Sequence, residues 1–521
     1  MAILASLKLE PGATWFHPFL GYELIILKAD ALSLVFALIF SIMAFLGAVY
    51  ALHVENRGEH IAALLYAAGS LGVVFAGDWL TLFFFWELMS ASSVFLIWYR
   101  GKKQSLAAGF RYLLVHFLGG NLLLFGILLL IGSGNLAVST LTESNSPAFW
   151  LILLGVAINA AIPPLHAWLT DAYPEATISG SVFLSALTTK VAVYVLVRVF
   201  PGTELLLWAG VVMALYGVVY AVLENNIRRL LAYHIISQVG YMVAAVGMGT
   251  ELALNGATAH AFSHILYKAL LFMGAGAVIY ATGREKLTEL GGIARAMPLT
   301  FILYNIGAFS ISGVPLFNGF ISKSIVVTAA GVSGLGIAEL LLTLAGVGTF
   351  LSIALKLPYF TFFGQDRGLK PQKLPLNMYI AMAGGAFLCI LYGIFPDLLY
   401  TRLPYPLSYE PYTMDHVIST IQLLLATALG FWLFLAKLKS EPAISLDTDW
   451  FYRKPLAALL QGIVYGLKQM KVKLEEGVML LFRAAGPYFE SYNENRYRFP
   501  VGLNFLLGII FLGFIIILAL V

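Results

Sequence analysis

Long apolar stretches alternate with short polar ones along nearly the whole chain. The apolar spans run at about 31 to 52, 61 to 77, 79 to 99, 106 to 131, 149 to 168, 178 to 200, 204 to 223, 230 to 249, 254 to 281, 298 to 333, 336 to 360, 376 to 396, 416 to 436 and 501 to 521. Most are near the ~20 residues that a helix needs to cross hydrocarbon, so the pattern predicts an all-α polytopic membrane protein with about fourteen transmembrane helices. The span from 298 to 333 is too long for one straight helix and is interrupted by Gly313-Val314-Pro315 and Asn318-Gly319. It reads as a broken helix whose freed carbonyls lie in protein or line a cavity. The span at 149 to 168 runs into Pro163-Pro164 and reads as its counterpart. The pairs Pro164-Leu165 and Pro315-Leu316 are separated by five crossings, an odd number, which predicts two inverted repeats, each with a broken helix.

Composition agrees with the pattern. With 60% hydrophobic and 11% charged residues and a mean hydropathy of +0.87, the chain is too apolar for a soluble fold. Its one cysteine, Cys389, lies in an apolar run, so no disulfide framework, cysteine metal site or redox motif is expected, and no cofactor or metal either. Residues 1 to 29 are mixed and lack the long apolar core and small-residue cleavage site of a signal peptide. From 454 to 498 apolar positions mix with Lys468, Lys471, Lys473, Glu475, Glu476 and Arg483, which predicts an amphipathic helix at the membrane interface. The expected division is therefore an N-terminal segment (1 to 29), a transmembrane core (30 to 436), a linker with a lateral amphipathic helix (437 to 499) and a C-terminal anchor (500 to 521).

Charge gives an orientation. Every second loop holds the bases: Arg57; Arg100, Lys102 and Lys103; Arg228 and Arg229; Arg284, Lys286 and Arg295; Arg367, Lys370 and Lys373; Lys437, Lys439, Arg453 and Lys454. The opposite loops hold almost none, Arg402 being the main exception. By the positive-inside rule the basic loops, and with them the lateral helix, are cytoplasmic, and both termini are extracytoplasmic in a plasma-membrane protein.

Against this apolar background a few polar residues stand out. His260, His264 and Lys268 recur every four residues through the apolar stretch 252 to 280, so they form one stripe on a helix. A Lys at bilayer depth costs ~2.5 to 3.5 kcal/mol on insertion scales, so the stripe should face inward, as either functional groups or interhelical hydrogen-bonding glue. Glu87, Lys190, His234 and Lys323 also sit inside apolar segments. A buried carboxyl and a buried amine can exchange protons near neutral pH when the charge of each controls the other, whereas a structural ion pair is the competing account for Glu87 and Lys190. Histidine titrates near neutral pH and suits a relay at His234. Lys323 would bind and release a proton at the far end of the row, with snorkelling to the interface as its alternative. Snorkelling is the better account of Lys356. His260 and His264 share one helix a turn apart, the wrong arrangement for two axial haem ligands. Asn159 and His116 are additional pathway candidates.

Five ordered motifs carry a resemblance. Phe85-Trp86-Glu87-Leu88, Pro164-Leu165-His166-Ala167-Trp168-Leu169-Thr170-Asp171-Ala172, Arg228-Arg229-Leu230-Leu231-Ala232-Tyr233-His234-Ile235-Ile236-Ser237-Gln238, His264-Ile265-Leu266-Tyr267-Lys268-Ala269-Leu270-Leu271-Phe272 and Gly319-Phe320-Ile321-Ser322-Lys323 are similar to the antiporter-like subunits of three kinds of complex. These are respiratory NADH:quinone oxidoreductase, Mrp-type sodium/proton antiporters and membrane-bound hydrogenases. The run Ala232 through Gln238 and the tail Leu446-Asp447-Thr448-Asp449-Trp450-Phe451-Tyr452-Arg453 resemble most the Mrp D subunit. The resemblance covers about 30 to 455 and implies proton-pathway roles for Glu87, Lys190, His264, Lys268 and Lys323. It also shows two departures. Asn159 stands where the family usually has a Lys, and two helices that commonly precede Ala29-Asp30-Ala31-Leu32-Ser33 have no counterpart here.

The expected function is proton translocation along a buried Glu/Lys/His axis, for cation/proton antiport or redox-coupled pumping. Other membrane subunits are the expected partners, with protons, and in the antiport case sodium, as cargo, and no nucleic acid. The alternative is an ion-inactive scaffold that positions partner subunits. An enzyme with its own quinone or metal chemistry finds no motif in the sequence.

Overall fold

The computed structural model describes residues 2–142, 144–439 and 447–494. It divides into two units, Met1–Ser445 and Leu446–Val521. The first opens with a short helix, α1 (Ala2–Lys8), and an antiparallel hairpin of β1 (Thr14–Phe19) and β2 (Tyr22–Lys28). Helices follow: α2 (Ala31–Ala51), α3 (Arg57–Phe75), α4 (Trp79–Trp98), α5 (Lys103–Gly132), α6 (Pro147–Asn159), α7 (Ala167–Ala172), α8 (Ile178–Ala186), α9 (Thr188–Val199), α10 (Glu204–Leu223), α11 (Ile227–Met248), α12 (Glu251–Thr282), α13 (Pro298–Ser312), α14 (Asn318–Val332), α15 (Gly336–Thr349, prolonged by π-helical turns to Phe363), α16 (Leu376–Ile394), α17 (Asp397–Tyr400) and α18 (Met414–Leu433). Among the described residues eleven helices are long and apolar enough to cross a membrane, with α8 and α9 counted as one, and α6 and α13 are shorter apolar helices. Thirteen of the fourteen expected spans thus have a helical counterpart; the span 501 to 521, and with it the C-terminal anchor, lies outside the described residues.

Both expected breaks are present, and each has the same local cause. Between α6 and α7 the chain passes Pro163-Pro164, and between α13 and α14 it passes Gly313-Val314-Pro315, where proline cannot donate to a helical ladder. Each break also holds a non-glycine residue in the left-handed region, Ala161 (φ 58°) and Leu316 (φ 74°), a conformation that persists only where the surroundings enforce it. The helices α3, α4, α5, α6/α7 and α8/α9 neighbour one another in the same order as α10, α11, α12, α13/α14 and α15. These are two five-helix units, and an odd number of crossings gives them opposite directions.

Close packing comes from small residues. A Cβ on Gly210 would lie 2.2 Å from the Ala244 nitrogen, one on Gly240 2.5 Å from the Ala214 nitrogen and one on Gly247 2.0 Å from the Leu207 nitrogen. In lipid, where burial of apolar side chains gives no drive for helix association, such backbone approach supplies the dispersion energy. Helices α11 and α12 end up almost wholly buried at the centre of the unit.

The connecting segments fall on two faces. On one, Arg100 bonds to Glu175 and Glu285, Arg228 bonds to Glu285, and Asn225 to Thr288, so the segments after α4, α7, α10 and α12 meet. On the other, the Ile25 amide donates to Asp78 (2.6 Å), Asp78 bridges to Ala137, and Arg198 pairs with Asp30 (2.8 Å), which gathers the hairpin with the segments after α3, α5 and α9. The alternation of basic loops thus matches one physical face. The hairpin itself is not announced by the mixed composition of residues 1 to 29. The second unit contains one long helix, Ala457–Glu494, over the segment where an amphipathic helix is expected.

Candidate functional site

The stripe on α12 is the centre of the site. His260, His264 and Lys268 are all fully buried. Neither ring nitrogen of His264 nor Nζ of Lys268 has a hydrogen-bond partner among the described residues. His260 Nδ1 lies 3.1 Å from Ser322 Oγ on α14, and the ring of Tyr267 packs beside both histidines, with centroids 6.3 Å from His260 and 5.3 Å from His264. A buried polar atom without a partner forfeits about 1 to 3 kcal/mol, so such a stripe is retained against stability.

Lysines stand at either end. Lys190 is in the first turn of α9, just after the chain kinks at Leu187, and its ammonium donates to the Ser185 carbonyl that the kink frees. The kink is held from outside: the Tyr66 hydroxyl accepts from the Thr188 amide (2.9 Å) and bonds to the Thr188 hydroxyl (2.6 Å). Lys190 is near enough to His264 and Lys268 for their charges to act on one another. Lys323, on α14 after the second break, donates to the Ile311 carbonyl (2.8 Å) at the broken end of α13 and sits 5.1 Å over the Tyr241 ring. Both ammoniums therefore cap carbonyls at interrupted helix ends, where the helix dipole favours a cation. Lys323 is 8% exposed, so it points inward and does not snorkel.

Beside Lys323 is a cavity of about 130 Å³ bounded by α14, α15 and α18, with His416, Thr420 and Thr427 in its wall. The His416 ring stacks on Phe320 at 4.7 Å. His234 on α11 bonds through Nε2 to Ser352 Oγ (2.7 Å) in the π-helical continuation of α15. One turn further, Lys356 departs from the expected snorkelling: it is 2% exposed and donates to the Val222 and Glu224 carbonyls at the end of α10. Its signal is the helix end of α10, which only the tertiary arrangement brings to it.

Glu87 is set apart from this row. It is half-buried on α4, its carboxyl lies against Gly120 of α5, and Oε1 has no partner among the described residues. No ion pair joins it to Lys190 among the described residues, so the structural ion-pair account of these two has no support in the geometry. His116 on α5 and Asn159 at the end of α6 are buried between them. The structure thus brings together Lys190, His264, Lys268, His260 and Lys323, flanks them with His234, and leaves Glu87 at one edge. Tyr66, Ser322, Ser352, Lys356 and His416 are not among the sequence candidates; isolated serines and tyrosines in apolar runs carry no pattern.

Similarity to known proteins fits this architecture. The A-type component of the sodium/proton antiporter of Alkalihalophilus pseudofirmus is 30% identical over 423 residues, which is 71% of this chain and 52% of that protein. Hydrogenase-4 component B of Escherichia coli is 30% identical over 440 residues, 74% of this chain and 65% of that one. The chain thus spans about half to two-thirds of the length of these relatives. The same fold occurs in a chain of the Mrp complex of Dietzia sp. DQ12-45-1b, with a TM-score of 0.71, 24% identity, and coverage of 81% of this chain and 91% of that one. It occurs also in a chain of an archaeal membrane-bound sulfane sulfur reductase, with a TM-score of 0.72, 24% identity, and coverage of 98% and 94%. The transmembrane family described as NADH:quinone oxidoreductase/Mrp antiporter matches residues 76–352, more than half of the chain, and to that family of multi-pass membrane proteins this chain belongs.

Proposed function

We propose that the chain is the proton-translocating, antiporter-like subunit of a multisubunit membrane complex, moving protons along Glu87, Lys190, His264, Lys268, His260 and Lys323 with His234 as a side branch. The observation that carries this reading is the buried stripe on α12, whose His264 and Lys268 polar atoms lack partners among the described residues while Lys190 and Lys323 sit at either end. Groups kept uncompensated in a membrane interior mark ion pathways far more often than they stabilise a fold. Each proton leaving an amine for a neighbouring imidazole changes the charge felt by the next group, so occupancy can step along the row. The cavity at Lys323, walled by His416 and Thr420 near the start of α18, gives the far end of the row room for water to take up or deliver a proton.

The two relatives named above are a hydrogenase component and part of an antiporter. Their names support a place among other membrane subunits, with cation/proton antiport or redox-coupled pumping as the activity of the whole. The finer assignment to the D type of Mrp subunit rests on the run from Ala232 to Gln238 and the tail from Leu446 to Arg453. Asn159, which cannot carry a proton, favours the scaffold as second reading. Proton transport by the assembled complex in membrane vesicles separates the two: the conducting reading expects Lys190→Ala to stop it, and the scaffold reading expects no change.

A further inference from the structure

Between Glu87 and Lys190 lies a step that none of the lysines fills. Four elements are packed there in order: α4 against α5, α5 against α6, and α6 against α9. The Glu87 carboxyl touches α5 at Gly120. His116 is four residues earlier on the same helix, about 6 Å along its axis. Helices α5 and α6 run antiparallel and meet at backbone distance, a Cβ on Gly155 falling 2.7 Å from the Gly119 carbonyl oxygen. That close crossing sets His116, one turn before Gly119, opposite Asn159, one turn after Gly155. The Asn159 amide faces the His116 ring without a direct hydrogen bond. His116 is 1% exposed and Asn159 fully buried, and all four polar atoms of the two side chains are without hydrogen-bond partners among the described residues. The ring is fixed by Tyr112 (centroids 4.1 Å) and by the edge of Trp168 (4.5 Å).

We infer that His116 is the proton carrier between Glu87 and Lys190, with the Asn159 amide as the polar contact that orients bridging water between the imidazole and α9. A histidine kept only for packing would have at least one ring nitrogen bonded to a neighbour, whereas His116, like His264 in the α12 stripe, has neither nitrogen bonded among the described residues. Here both nitrogens are left for water, and a site with several polar groups close together is one that water occupies. The step balances in protons alone. Protonated Glu87 passes its proton to neutral His116, leaving carboxylate and imidazolium, and the imidazolium then passes it to the neutral Lys190 amine, regenerating imidazole. The other titratable groups around the ring are Tyr112 on its own helix and Tyr173, which packs on Trp168; Asp171 is engaged by Arg111 at 2.7 Å and is set apart from the step. The assignment rests on the proposed axis, so its test includes an axis control.

Proton transport is measured in vesicles holding the assembled complex, for His116→Gln, Lys190→Ala and the double variant His116→Gln/Asn159→His. Glutamine keeps hydrogen bonding but carries no proton, so His116→Gln should slow transport by about 100-fold, the low end of what a positioned proton-transfer group contributes. The double variant returns an imidazole from the other side of the α5–α6 crossing and should recover at least part of the rate, which a purely structural role would not allow. If His116→Gln does not assemble, the smaller His116→Asn takes its place. Wild-type transport in His116→Gln with an inactive Lys190→Ala overturns the His116 assignment and leaves the axis standing. Wild-type transport in both overturns the axis as well.

Discussion

Arg100, Arg228 and Glu285 join separate loops through single side chains, and their chemistry makes a prediction that is independent of transport. Arg228 is 1% exposed, donates to the Ala176 carbonyl (2.9 Å) and pairs with Glu285 at 3.3 Å; Arg100 pairs with the same carboxylate. Burial alone would raise the Glu285 carboxyl, but the guanidiniums of Arg228 and Arg100 together hold it below its ordinary range. A carboxylate held low stabilises the fold fully above its unfolded value, about 4.3, and that contribution is lost as pH falls through the folded value. Glu285→Gln leaves Arg228 buried with less compensation and should cost about 3 kcal/mol. Thermal unfolding of the solubilised protein against pH should show a lower midpoint for the variant at pH 7 and a shallower decline on acidification than wild type; parallel curves would contradict the role. In the sequence the arginines stand out as topology markers and Glu285 as nothing at all, because their pairing joins residues 57 and more positions apart. Lys356 is illegible for the same reason. Its position near a helix end suggests water, but the carbonyls of Val222 and Glu224 reach it first.

Helices are legible wherever their cause is local. The apolar runs, the interruption at Gly313-Val314-Pro315 and the one at Pro163-Pro164 follow from the backbone chemistry of the residues themselves. The kink at Leu187 has no glycine or proline; it depends on the Tyr66 hydroxyl reaching Thr188 from another helix, and so nothing in the segment announces it. The π-helical turns at Phe350–Lys356 and Tyr359–Phe363 are equally silent in the sequence. Two glycines show how tightly elements are bound. A Cβ on Gly319 would fall 1.7 Å from the Ser310 carbonyl oxygen, and one on Gly240 2.5 Å from the Ala214 nitrogen. Both contacts are with backbone, which cannot swing aside. Gly319→Ala and Gly240→Ala should each destabilise by about 1 to 3 kcal/mol, the cost of overpacking, with Gly319→Ala also displacing Lys323 from the Ile311 carbonyl. Yield of folded protein from detergent extraction, together with transport, checks both; Gly283→Ala, where a Cβ meets no neighbouring atom but φ is +68°, should cost less than either.

At the scale of the whole molecule, loops bonded to one another must share a side of the membrane. The segments holding Arg100, Arg228 and Glu285 form one such side, and the hairpin with Asp78 and Ala137 forms the other. With Cys389 replaced by serine, an impermeant thiol reagent applied to intact cells should modify Ser144→Cys and spare Lys286→Cys; the reverse would invert the assigned orientation. Among the described residues helix α18 is largely uncovered, with Leu425, Leu429 and Trp432 all more than half exposed. The central claim remains the proton row, and one side chain tests it most directly. Lys190 can relay a proton only if its amine can be neutral for part of the cycle, whereas a guanidinium stays charged throughout. In vesicles containing the assembled complex, Lys190→Arg should abolish proton transport as completely as Lys190→Ala does. Wild-type transport with arginine at that position would contradict the relay.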